Sequence, residues 1–126
     1  MVKIHFKISK KIYLLFLLCS SLLTTQAAYI FIPMDENQKN HLKAYGIAYL
    51  SIELDIKVDW LLNYQGGSFM MKYNKYIENE CTIRGVSFNI IADIQSTEIL
   101  SSISSPEINQ DVVRLEKAPK IAIYSP

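Results

Sequence analysis

The residues predict an α/β domain built on a mainly parallel sheet, and three observations carry that expectation. Short apolar runs rich in β-formers alternate along the chain with stretches whose apolar residues recur at helical spacing. The stretches between the runs are long enough for crossovers, which lay parallel strands side by side and cover both faces of a sheet. The chain has 126 residues, room for one small domain. The expected element order is β-α-β-α-β-α-β.

The first 27 residues do not join that pattern. Lys3, Lys7, Lys10 and Lys11 precede an apolar run from Ile12 to Leu23, broken by Ser20 and Ser21, and Thr24-Thr25-Gln26-Ala27-Ala28 follow. A basic start, a short apolar centre and a small-residue exit describe a secretory signal peptide, residues 1–27, with cleavage after Ala27. The run falls short of the roughly 20 apolar residues that a membrane span needs. An uncleaved N-terminal anchor is the alternative. A lipid-modified Cys19 would need a small residue before it, where Leu18 stands.

The domain proper, residues 28–117, begins with Ala28–Ile32 (AYIFI), a β-rich run closed by Pro33. Asp35 stands three residues before Gln38, the spacing of a capping box. Leu42, Tyr45, Tyr49 and Ile52 then share one helical face, which predicts a helix over 36–52 with Gly46 inside it. Ile56, Val58, Trp60, Leu62 and Tyr64 alternate with Lys57, Asp59, Leu61 and Asn63, the period of a strand. Met70, Tyr73, Ile77 and Cys81 recur at helical steps, and Gly85 after Arg84 suits a C′ residue. Val86–Ile91 predicts a third strand, with Asp93 or Ser96 capping a helix behind it. Ser105-Pro106-Glu107 reads as the start of a further short helix, although the polar stretch 101–118 also suits a linker. Lys120–Tyr124 (KIAIY) predicts a fourth strand, the first of a following unit over 118–126. An uncovered apolar strand is an unusual place for a domain to end, so the chain is expected to be the N-terminal part of a longer protein.

Composition narrows the partners. From Ala28 onward nine Lys and Arg face twelve Asp and Glu, a net charge near −3 with no cluster of either sign. Nucleic-acid binding needs a basic stripe, and none is present. No stable membrane span is expected past residue 27. An unidentified small molecule or an envelope protein is the expected partner. Cys81 is the lone cysteine after cleavage, so no internal disulfide can form.

The candidate ligand-binding residues are Gly66, Gly67 and Ser68, where an apolar run stops at a glycine pair. If a helix starts at Ser68, the backbone N–H groups and the Ser68 hydroxyl would cradle an anion at its N-terminus. A hairpin through Gln65-Gly66-Gly67 and a tight strand-to-helix turn with no ligand are the alternatives. The phosphate-binding fingerprints Gly-x-x-x-x-Gly-Lys-Ser/Thr and Gly-x-Gly-x-x-Gly are both absent here. Cys81 lies on the apolar stripe, as a packed cysteine does. His41 is the one histidine after residue 27, which leaves no zinc-type ligand set. Asp35 and Asp93 suit helix capping at the ends of strands. No catalytic residue, metal or cofactor is expected.

The strings Asn40-His41-Leu42-Lys43-Ala44-Tyr45-Gly46, Asn63-Tyr64-Gln65-Gly66-Gly67-Ser68-Phe69 and LEKAPKIAIYSP resemble the N-terminal part of a family of exported Bacteroidetes proteins labelled asparagine synthetase B. The resemblance spans most of residues 29–126. It implies a non-catalytic N-terminal domain followed by a region of amidotransferase-like architecture. A glutaminase cysteine would be N-terminal, whereas Val2 follows the initiator and cleavage would expose Ala28. Gly66-Gly67-Ser68-Phe69-Met70 also lacks the leading serine and the aspartate of the Ser-Gly-Gly-x-Asp-Ser motif that holds ATP pyrophosphate. No catalytic residue is therefore carried over. The other expectation is an extracytoplasmic small-ligand-binding or protein-interaction module.

Overall fold

Every strand in the sheet runs antiparallel to its neighbours, in the order β4-β1-β3-β2-β5. The computed structural model describes residues 28–120. The expected signal segment 1–27 and residues 121–124 of the expected fourth strand lie outside them. The elements are β1 (Ala28–Ile32), α1 (His41–Glu53), β2 (Val58–Leu62), β3 (Ser68–Lys72), α2 (Lys75–Arg84), β4 (Asn89–Ala92), α3 (Asp93–Ile103) and β5 (Asp111–Leu115). Strands and helices do mix along the chain, but the mainly parallel sheet is corrected.

The correction has one origin, which is β3. The apolar run Phe69-Met70-Met71, expected to open a helix, is a strand seated between β1 and β2. As the central strand it is covered on both faces, and residues 68–71 are all buried. A strand buried on both sides shows no alternation, so its residues match a helical stripe by default. β1 and β2 do point the same way across a helical crossover, as do β3 and β4. Each pair is separated by one strand of opposite direction, the split βαβ arrangement of ferredoxin-like β-α-β-β-α-β units. α3 and β5 extend that unit.

Helices α1 and α2 lie on one face of the sheet. Ile30, Ile32, Val58, Phe69 and Met71 point toward them and pack with Ala44, Ile47, Ala48, Ile52, Ile77 and Cys81. Phe31, Leu61 and Met70 point the other way and meet Ile99, Leu100 and Ile103 of α3. The period-two alternation of strands assigns these faces.

Several local expectations shift. α1 starts at His41, capped by the Asn40 side chain, which accepts from the Lys43 N–H at 3.1 Å. Asp35 instead accepts from the Asn37 N–H at 3.0 Å. Gln38 is buried and ties two segments together. It donates to the Pro33 carbonyl at 2.9 Å and the Ser87 carbonyl at 3.0 Å, and accepts from the Ser87 N–H at 2.8 Å. α1 buries Ala44, Ile47, Ala48, Ser51 and Ile52, while Leu42, Tyr45 and Tyr49 of the expected apolar stripe are exposed. Small residues suit that buried face because the helix lies close to the sheet and to α2. α2 is capped at its start by Asn74 and at its end by Gly85 at φ +68°. The expected helix near Ser105 is absent, and β5 occupies part of the stretch 101–118 instead.

Candidate functional site

Gly66, Gly67 and Ser68 lie in a hairpin, because β2 and β3 pair antiparallel across residues 63–67. Gly66 (φ +79°) and Gly67 (φ +88°) take the left-handed conformation that glycine adopts freely. Here it serves a close backbone approach. A Cβ on Gly66 would lie 2.4 Å from the Met34 carbonyl oxygen, and the Met34 N–H donates to the Gln65 carbonyl at 3.0 Å. Two backbone donors and the hydroxyl of the expected cradle are engaged within the turn. Gly67 N–H and Ser68 N–H donate to the Tyr64 carbonyl, each at 3.1 Å. The Ser68 hydroxyl donates to the same carbonyl at 2.7 Å. An anion here would have to displace those bonds.

The other sequence candidates stand apart from one another. Cys81 is fully buried between α2 and the sheet, and burial pushes its thiol up to about 11. The His41 ring donates from Nε2 toward the Met34 and Asp35 carbonyls, each at 3.1 Å. Asp93 opens α3, and its carbonyl accepts from the Ser96 and Thr97 hydroxyls at 2.7 and 3.0 Å. Among the described residues no three His, Cys, Asp or Glu side chains gather into a metal site.

The sheet gathers a different group. α3 crosses its face from β4 toward β5 and leaves the end that holds the start of β2 uncovered. A cleft of about 490 Å³ lies there, lined by Tyr29, Asp55, Lys57, Asp59, Lys72 and Arg114 among others. Strand pairing sets four of these side by side: Tyr29 sits opposite Lys72, and Asp59 opposite Arg114. Arg114 Nε donates to Asp59 Oδ1 at 2.9 Å, and this bond raises the guanidinium pKa. It holds the planar group at one edge. The terminal nitrogens of Arg114 have no hydrogen-bond partner among the described residues, and Lys72 has no ion-pair partner among them. Lys57 pairs with Glu116 at 2.9 Å, and this pairing lowers the Glu116 carboxyl.

Sequence reasoning missed this cleft. Tyr29, Asp59, Lys72 and Arg114 come from β1, β2, β3 and β5, with no local spacing to relate them. The run Asp111-Val112-Val113-Arg114-Leu115 is the one available signal, and five residues without clean alternation inside a polar stretch are too few to mark a strand. Comparison of the chain with protein-family models, with curated proteins and with solved structures finds no match.

Proposed function

We propose that the chain works as a non-catalytic binding module of an exported protein, taking a small carboxylate-bearing ligand in the cleft beside Lys72 and Arg114. The observation that carries this reading is the convergence of a guanidinium held at its Nε edge by Asp59, an ammonium and the Tyr29 phenol on one open cleft. A guanidinium presents paired donors that match a carboxylate bidentately. Asp59 holds that group in place before a ligand arrives, which reduces the ordering cost of binding. The cleft volume lies in the range of small-molecule sites. The basic, apolar, small-residue start of the chain and its resemblance to an exported family support export.

Calorimetric titration of the chain with acetate, succinate and glutarate tests the reading. Saturable binding is expected for at least one of them. Lys72→Ala should weaken it about ten-fold or more, as expected for losing a hydrogen bond to a charged group. Arg114→Lys keeps a charge beside Asp59 but removes the fork, and should weaken it comparably. Lys39→Ala, away from the cleft, should leave it unchanged. Flat titrations with all three at millimolar concentration reject the proposed ligand class.

A further inference from the structure

The opposite face of the sheet carries a groove of about 250 Å³ that is almost wholly apolar. Tyr45, Ala48, Tyr49 and Ile52 of α1 form one wall, Trp60, Phe69 and Leu115 form the floor, and Pro119 stands at the rim. The aromatic groups brace one another. Tyr45 meets Phe69 edge-on with ring centroids 5.5 Å apart, and Phe69 stacks on Trp60 at 6.1 Å. Trp60 Nε1 donates to the Gly67 carbonyl at 3.1 Å, so the indole has spent its polar atom and offers the groove only ring surface. Tyr45 remains 50% exposed and Val113, alongside on β5, 37%. An apolar surface of this shape suits an apolar side chain or segment laid against it.

The path of the chain points to the occupant. β5 ends at Leu115, which pairs with Val58 near the α1 C-terminus. Ala118 then packs against the core on the α1 side of the sheet, and Pro119 lines the groove. By Pro119 the backbone has therefore passed from the sheet edge to the groove. Beyond Lys120 come Ile121, Ala122, Ile123 and Tyr124, an apolar run. The wall from Ile52 to Tyr45 is about 10 Å long at the helical rise per residue. Four extended residues reach about 13 Å, so the run is long enough for the groove.

We propose that this groove is a receptor for an extended apolar peptide, and that Ile121–Tyr124 occupies it within the same chain. Tethering two residues away gives the segment a high effective concentration at the groove, an advantage no separate peptide has. The ligand cleft on the other face takes no part in this docking, so either proposal can fail without the other.

Nuclear Overhauser contacts in the unmutated chain provide the test. Contacts from the Ile121 or Ile123 methyls to the Trp60 and Tyr45 rings are expected, unchanged on dilution. Trp60 is the sole tryptophan, so its emission reports on the same surface. The double substitution Ile121→Asp, Ile123→Asp should shift that emission to longer wavelength and increase its quenching by iodide, while Ser125→Asp should do neither. Absence of the contacts overturns the proposal. So does their appearance only between differently labelled copies, which would make the occupant a second molecule.

Discussion

Gly66 has no room for a side chain, and the reason lies far earlier in the chain, at Met34. A Cβ there would meet the Met34 carbonyl oxygen and carbon and the Asp35 nitrogen, all within 2.7 Å. Backbone cannot swing aside as a flexible side chain can. Gly85 shares a positive φ, +68°, but nothing lies within 4 Å of the position a Cβ would take on it. Gly85→Ala should therefore cost about 1 kcal/mol through its conformation alone. Gly66→Ala carries the same conformational cost plus the collision, and should destabilise clearly more. Urea denaturation of the two variants decides it, and equal losses would rule out the close approach. The two positions make the same point about local reading. Gly85 is legible as a helix terminator because the preceding turn alone requires it. The glycine pair is visible, but its use depends on a segment that no local pattern connects to it.

At the scale of elements, apolar spacing identifies β1, the core of β2, the bulk of α1 and most of α2. It fails where an element's surroundings differ from the usual one-sided burial. β3 is covered on both faces and reads as continuous apolar chain. The stripe of tyrosines expected to be buried on α1 is exposed, because close packing selects its alanines, and Tyr45 and Tyr49 become the wall of a groove. Connections between elements rest on few side chains, and Gln38 is one of them. It spans from the end of β1 to the segment before β4 through both its amide nitrogen and its oxygen. Gln38→Ala would strand the Ser87 N–H and the two carbonyls, at a cost of roughly 1–3 kcal/mol. Gln38→Glu should also destabilise, because a carboxylate accepts and cannot donate to those carbonyls. A thermal melt in which both variants match the parent would show that water replaces the side chain fully.

For the whole molecule, the two cores share their strands, and this links the stability of the opposite faces. Ile77 packs onto the sheet from α2 and Ile103 from α3, on either side of β1 and β3. Truncating either to alanine should cost about 2–5 kcal/mol. Both should displace one common transition, followed equally by far-ultraviolet dichroism and by Trp60 emission. If Ile103→Ala leaves the Trp60 transition in place, the faces unfold separately. The residue pattern by itself determined that strands and helices mix along the chain, that the side chains of β2 alternate, and where α2 stops. These depend on neighbours a few positions apart, whose spacing is written in the chain. Only the tertiary structure decided that β3 enters between β1 and β2, that all pairings are antiparallel, and that Tyr29, Asp59, Lys72 and Arg114 meet. Strand pairing is chosen by which apolar faces can be buried together, and periodicity marks a face without naming the partner that covers it.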